Sequence, residues 1–577
     1  MTEKRDELAI VLSGEAGQGV NTIENLLTHV LKQAGYYVFA NKEYMSRIRG
    51  GCNSTLIRVS KQAVAAFVEH IDILIPLNEL SLPHLKHRIT EDTLVVGPGE
   101  LLAAGQEAGI VSDDQCSEVS FDQIAKDAGS RLYANTAAAG LVFGVLGVEQ
   151  GLIEGFFKER FASKGEEVQQ GNIDAALKGY SEGSDLVAEG KISLDLSPSE
   201  ERQNDLLMSG AQSVGLGAIA GGCNLIGSYP MSPATGVLIY LAQQAAKFGI
   251  AVEQVEDEIA AINMGIGAWF AGARALTTTS GGGFALMCEG MSLAGMFESP
   301  MVVHIAQRPG PATGLPTRTE QGDLELAVYA GHGEYPRIVL APGSIEQAYE
   351  TTRRAFEMAD SLQVPVVILT DQFLMDSYNN VAGLKAPESP PENKIVETDA
   401  DYKRYALTES GLSPRGIPGY GKGLVSLDSD THDEAGHITE DLDIRNQMVE
   451  KRLARFNLIA ELSIEPDLYG NSDARNILVA WGSTLEVARE ALAKSGRDDI
   501  ALLHFQQVFP IPPGAKDILA AADRVVSIEL NATGQFSKLL KLHADARIDS
   551  QVLKYDGMPY SVEQVLTVLQ NEFPEEA

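Results

Sequence analysis

Ser228-Tyr229-Pro230-Met231-Ser232-Pro233-Ala234-Thr235 decides how this chain is read. It follows a β-rich run over 224–229 and precedes a segment of helical spacing, so it marks a strand-to-helix turn. Prolines 230 and 233 fix φ on either side of a hydroxyl residue, holding Ser232 and Thr235 rigidly at the strand's C-terminal end. Open α/β sheets bind ligands at that edge. A helix start capped by Thr235 is compatible with the same residues. Outward from this turn, further strands are predicted at 251–255, 274–279, 301–306, 337–340 and 364–370. A helix is predicted over 344–359, with Ser344 able to cap it.

Three more loops follow strands of the same section. Glu256, Asp257 and Glu258 open an apolar helix, where acids favour the helix dipole. That helix continues almost uncharged over 260–272, so a carboxylate at its mouth is expected to be desolvated, with the raised pKa a proton-relaying group needs. Ser280-Gly281-Gly282-Gly283 links the next strand to a helix. The proline-stiffened run from Arg308 to Asp323 carries two arginines, Arg308 and Arg318, either able to clamp a carboxylate through two hydrogen bonds. All four loops are expected at one sheet edge, outlining one pocket.

The first section, 1–153, alternates strands (8–13, 36–40, 55–60, 72–77, 93–97) with helices (20–34, 137–147), which predicts a parallel α/β sheet of Rossmann-like type. Its glycine loop Gly14-Glu15-Ala16-Gly17-Gln18-Gly19 lies between strand and helix, where backbone N–H groups can meet a phosphate; a tight turn without ligand is the other reading. The spacing reverses the dinucleotide fingerprint, and no lysine of a nucleotide P-loop follows. Arg47 and Arg49 beside Gly50 and Gly51 also suit an anion. Residues 154–203 are polar and read as a linker with helical pieces. The section 204–387 holds the four loops; 388–475 reads as a linker or extended connection, with the acidic run 428–443 as solvated chain; 476–577 is a third, smaller α/β section.

With 577 residues, 44% hydrophobic and 21% charged, the chain can bury the cores of several globular domains. Its net charge of −34 repels phosphate backbones and argues against nucleic acid. No apolar stretch reaches the ~20 residues of a membrane span, and the N-terminus does not read as a signal peptide, so a soluble, cytoplasmic protein is expected. The cysteines 52, 116, 223 and 288 form no C-x-x-C pair, so no metal or cluster site is expected in this chain.

Over nearly its whole length the chain resembles the fused γ–α subunit of the 2-oxoacid:ferredoxin oxidoreductases, most closely the 2-oxoglutarate subclass. The resemblance rests on the loop 14–20, Arg49-Gly50-Gly51, Tyr229 to Thr235, Glu256-Asp257-Glu258, Thr279-Ser280-Gly281, Arg308 to Asp323 and Gly331-His332-Gly333-Glu334-Tyr335-Pro336-Arg337. It implies a γ-type domain on the coenzyme A side, a pyrimidine-type thiamine diphosphate domain over 204–387, and a transketolase-type C-terminal domain supporting assembly. A β subunit would supply the diphosphate/Mg²⁺ half-site and a [4Fe–4S] cluster, giving an (αβ)₂ heterotetramer that passes electrons to ferredoxin. Glu258, or else Glu256, would activate the cofactor beside Tyr229, Pro230, Ser280 and Gly281. Arg318 with Ser232 would hold the substrate carboxylate, assisted by Thr235 and Arg308; Gly17, Gly19 and Arg49 would help seat coenzyme A. Ser232 stands where the family has Thr, and its hydroxyl can still donate to a carboxylate. The implied reaction is the coenzyme A-dependent oxidative decarboxylation of 2-oxoglutarate to succinyl-CoA and CO₂, reversible in principle. Pyruvate, branched-chain or aryl-pyruvate substrates are the alternative within the family. A dinucleotide-dependent dehydrogenase is disfavoured by the reversed glycine spacing, and a scaffold subunit would leave the clustered loops without a purpose.

Overall fold

The computed structural model describes residues 4–16, 20–45 and 50–574. Two compact units result. One runs up to Met208 and takes in Ser377–Gly383 and Ser561–Glu563; the other comprises Ser209–Asp376, Leu384–Tyr560 and the residues from Gln564 onward.

The first unit is built on an eight-stranded sheet in the order Cys116–Glu118, Leu94–Gly97, Ile73–Pro76, Glu7–Ala16, Gly50–Ser60, Tyr37–Glu43, Tyr378–Val381, Leu206–Ser209. It is mixed rather than parallel. Tyr37–Glu43 pairs antiparallel with Gly50–Ser60, Tyr37 opposite Ser60, and that strand pairs antiparallel with Glu7–Ala16. Only residues 44–49 separate the first two, and a parallel crossover needs a dozen or more. Parallel pairing is confined to the run from Glu7–Ala16 through Ile73–Pro76 and Leu94–Gly97 to Cys116–Glu118.

The helical pieces expected in 154–203 are present, but they are packed structure rather than a free connection. They are the helices Gln150–Arg160 and Glu166–Ala188, and the second packs closely along Ala134–Val145. Glycines make the approach possible: a Cβ at Gly140 or Gly144 would collide with the carbonyls of Ala176 or Tyr180, and one at Gly179 or Gly183 with those of Ala137 or Leu141. The buried face of Glu166–Ala188 is mostly Gly and Ala, so the apolar stripe that marks an ordinary amphipathic helix is weak.

The second unit holds two sheets. Seven strands run in the order Gln507–Phe509, Ile338–Leu340, Pro365–Asp371, Met301–Gln307, Ala275–Thr279, Leu225–Ser228, Ala251–Gln254. All neighbours are parallel except Gln507–Phe509, which runs antiparallel to Ile338–Leu340. The helix Ile345–Leu362 is capped by Ser344, whose hydroxyl accepts from Gln347 N at 3.1 Å. The other sheet has the order Asp467–Gly470, Ile500–Phe505, Asn476–Trp481, Arg524–Glu529, Ser550–Leu553. Within 388–475 the chain is irregular to Asp441, which caps the helix Leu442–Glu461. That helix buries Met448, Lys451, Arg452, Arg455 and Ile459, a mainly cationic face that hydropathy does not reveal. The acidic run is not wholly solvated: His432 is buried with its ring centroid 3.9 Å from that of Tyr405.

Gly144→Val would force the two glycine-lined helices apart. It is expected to destabilise the protein by roughly 2 kcal/mol or more, measured by urea denaturation, whereas an equal change at exposed Gly155 should cost much less.

Candidate active site

Because Met301–Gln307, Ala275–Thr279, Leu225–Ser228 and Ala251–Gln254 are parallel neighbours, the four loops that follow them emerge at one edge. The edge is braced from behind. Buried Ser228 Oγ accepts from Thr278 N at 2.9 Å, Thr278 Oγ1 meets His304 Nδ1 at 2.7 Å, and His304 Nε2 meets Thr370 Oγ1 at 2.8 Å. Burial pulls His304 down to a pKa of about 3, so its ring is neutral and its nitrogens serve as one donor and one acceptor across three strands.

The acidic turn separates into distinct parts. Asp257 is the cap of helix Glu258–Phe270, its Oδ1 accepting from Ala260 N at 2.7 Å. Glu256 is exposed, whereas Glu258, the first helical residue, is 3% exposed and its Oε1 has no hydrogen-bond partner. Gly283 makes room for it: a Cβ there would lie 2.5 Å from Glu258 Oε1 and would also strike Thr279 Oγ1. Gly281 does the same for Asp323, whose carboxylate occupies the space a Cβ would need. Ser280 Oγ and Asp323 Oδ2 are likewise buried without partners. Protein interiors rarely leave such atoms unpaired, at about 1–3 kcal/mol each, so this cluster is chemically fit to receive a polar heteroaromatic ring or a substrate.

The turn at Tyr229 is uneven in exposure, with Pro233 and Ala234 buried. Tyr229 and Ser232 are exposed, Pro230 and Thr235 half-buried. Thr235 is the first residue of helix Thr235–Phe248; the cap position belongs to Ala234 and no side chain caps it, so Thr235 does not play that part. Arg308 is half-buried and donates from Nη1 to the Ser232 carbonyl at 2.8 Å, which ties two of the loops together. Arg318 is half-buried beside Gly557, whose carbonyl accepts from Thr319 N at 3.1 Å. Gly17, Gly19 and Arg49 lie outside the described residues.

Two features went unread in the sequence. One is Asp323: it occupies the cap position of helix Leu324–Tyr329 yet makes no cap bond, so its sequence context suggests an ordinary helix start. Burial, then the neighbouring Glu320, push its carboxyl up to about 6, against the opposing pull of Arg308. The other is the anchoring of the 308–323 loop by the C-terminal section. Fully buried Gln321 donates from N to Leu530 O at 2.6 Å and from Nε2 to Trp481 O at 2.8 Å, and its Oε1 accepts from Leu530 N at 3.0 Å. Gln535 donates to Gly322 O at 2.8 Å and accepts from Glu325 N at 2.9 Å. Both contacts join residues more than 150 positions apart, which no local pattern signals.

The domain carrying this edge is of a thiamine diphosphate-binding class. Residues 216–451 match the family described as pyruvate flavodoxin/ferredoxin oxidoreductase, thiamine diphosphate-binding, and residues 9–182 match the pyruvate ferredoxin/flavodoxin oxidoreductase family. The 2-oxoacid:ferredoxin oxidoreductase subunit alpha of a Sulfolobus species is 31% identical over 96% of this chain and 95% of its own length. The 2-oxoglutarate synthase subunit KorA of Archaeoglobus fulgidus is 33% identical over 63% of this chain and 99% of its own. The 2-oxoglutarate:ferredoxin oxidoreductase of Magnetococcus marinus, solved with 2-oxoglutarate, coenzyme A and succinyl-CoA, superposes with a TM-score of 0.89 at 28% identity, covering 99% of this chain and 100% of that one. The chain therefore belongs to the 2-oxoacid:ferredoxin oxidoreductase family, as an alpha subunit. No helix among the described residues is long and apolar enough to cross a membrane.

Asp323 provides a pH test. A carboxyl whose folded pKa lies above its unfolded value holds its proton more tightly when native, so its ionisation removes stability as pH rises from about 4 to about 6. Asp323→Asn is expected to stabilise the protein at pH 8 by up to roughly 3 kcal/mol, the difference closing near pH 4. Urea melts at both pH values measure it; an equal effect at the two would show that the charge is not the cause.

Proposed function

We propose that this chain binds the aminopyrimidine of thiamine diphosphate at the edge formed by Tyr229, Pro230, Glu258, Ser280 and Gly281, and with a β subunit oxidises 2-oxoglutarate to succinyl-CoA and CO₂. The observation that carries the proposal is Glu258: a buried carboxyl with an unpartnered oxygen, held in a glycine cradle within a domain of this family. Thiamine diphosphate, when bound, supplies the nucleophilic carbon and the electron sink for loss of CO₂. Glu258 would hold or accept a proton at a ring nitrogen through Oε1; burial makes that hydrogen bond strong. Exposed Glu256 lacks that desolvated setting, which favours Glu258 for the role. Ser232 and Arg318 would orient the carboxylate next to the keto carbon, the arginine by a planar two-point contact, with Thr235 at the rim. Arg308 would act mainly by fixing the Ser232 turn, since one of its nitrogens already holds that carbonyl.

Two of the relatives named above carry 2-oxoglutarate in their names, which supports it over the other 2-oxoacids. The β subunit would supply Mg²⁺, the diphosphate site and the [4Fe–4S] cluster in an (αβ)₂ assembly, and ferredoxin would carry the electrons away. Coenzyme A would enter from the side of the first unit, with Gly17, Gly19 and Arg49 as anion contacts.

The anaerobic αβ complex, given several 2-oxoacids with and without coenzyme A, is expected to reduce a low-potential dye most rapidly with 2-oxoglutarate and coenzyme A. Faster reduction with pyruvate or an aryl-pyruvate would reassign the substrate. Glu258→Gln should abolish turnover while leaving the melting temperature within a few degrees; Glu256→Gln should leave most of it. Arg318→Ala should lower kcat/KM by roughly 2–5 kcal/mol in transition-state terms, and Arg318→Lys should recover little if the contact is two-pronged. Near-normal turnover in Arg318→Ala would remove that residue from the substrate site.

A further inference from the structure

The motif Gly331-His332-Gly333-Glu334-Tyr335 has no part in the reaction above. His332, Gly333, Glu334 and Tyr335 line a cavity of about 230 Å³ that also receives residues of the helices Cys288–Phe297 and Leu442–Glu461. Behind it lies an unusual concentration of buried cations. Glu298 is 1% exposed and takes both Lys451, at 2.6 Å, and Arg455 on its Oε2. Buried Arg404 donates from Nη2 to the carbonyls of Phe297 and Glu298 and lies over the Tyr405 ring, but its Nη1 has no hydrogen-bond partner. Arg452, 4% exposed, lines the cavity; its Nη1 touches Met296 Sδ at 3.0 Å and its Nε has no partner. Glu298 thus pairs with Lys451 and Arg455, while Arg404 donates only to main-chain oxygens and Arg452 meets a methionine sulfur, in a chain whose net charge is −34. Burial, then Arg404 and Arg452, press Lys451 down to about 7, as expected where positive charges crowd.

Buried charges ordinarily have counter-charges, and an unpaired guanidinium beside a cavity is costly unless an anion is taken up there. Arg445 and Arg452, seven residues apart on one helix, fall on the same face and both line the space; the Ser292 hydroxyl that also lines it is taken up by the His332 backbone. Glu289 and Glu334 also line it, but both are exposed and neither pairs with Arg445 or Arg452. Their charge and the volume disfavour a nucleotide.

We propose that this cavity binds a small oxyanion, the carboxylate of a metabolite or a phosphate group, through Arg452 and Arg445, at a site separate from the loops that hold the 2-oxoacid. Binding there does not depend on the reaction assigned to the chain.

The test is isothermal titration calorimetry of the intact αβ complex with potassium phosphate and, separately, potassium citrate, at ionic strength fixed with potassium chloride. Saturable uptake of one anion per chain is expected, weakened at least tenfold in Arg452→Met and in Arg445→Gln, with 2-oxoacid turnover within about twofold of the parent. Binding of phosphate alone would assign a phosphate ligand, and of citrate alone a carboxylate. No saturable binding, or binding unchanged by both substitutions, would overturn the proposal. If Arg452→Met lowers the melting temperature sharply, exposed Arg445→Gln decides the matter alone.

Discussion

A carboxyl group buried at the first turn of an almost uncharged helix is the constraint on which the site-bearing unit depends. Glu258 has an oxygen with no protein partner, and its place exists only because Gly283 lacks a side chain. The same short helix start admits Asp323 against Gly281, so two acids approach the Ser280-Gly281-Gly282-Gly283 segment from different loops. Such an arrangement costs several kcal/mol in unmet hydrogen bonds, a large share of ordinary folding stability. It persists because the surrounding sheet is parallel, close-packed and braced by the His304 network, which leaves the loops little freedom to relax.

Position at the edge is governed as much from a distance as from within. The loop bearing Arg318 and Asp323 is proline-rich, but what fixes its far end is Gln321, buried among the backbones of Trp481 and Leu530, and Gln535 from the following turn. That turn is itself organised by fully buried Glu529, whose oxygens accept from Asn531, Phe536 and Ser537. The C-terminal sheet, whatever its part in assembly, therefore acts directly on the geometry of the site. A displacement of about 1 Å in such a loop is enough to affect catalysis strongly.

Hydropathy recovered the ordinary elements well. Its failures share one cause. The helix Glu166–Ala188 is buried through Gly and Ala, and Leu442–Glu461 through Lys and Arg, so neither shows the large apolar stripe that marks a packed helix. The first is buried by close backbone approach and the second by ion pairing to Glu298 and carbonyl contacts. Hydropathy therefore does not mark either as a packed helix.

The order of strands and turns in the 204–387 section, the capping of Ser344, and the gathering of four loops at one edge follow from the sequence alone, because period, proline placement and strand-helix alternation are local properties. The Tyr-Pro and Arg-Pro-Gly-Pro turns carried the family resemblance for the same reason. Only the tertiary structure distinguished buried Glu258 from exposed Glu256, attached Arg308 to the Ser232 carbonyl, brought Asp323 against Gly281, and locked Gln321 to Trp481 and Leu530. Burial and hydrogen bonding at these residues are set by partners distant in the chain, and desolvation, which controls the chemistry of a carboxyl or guanidinium, belongs to the packed neighbourhood and not to the residue.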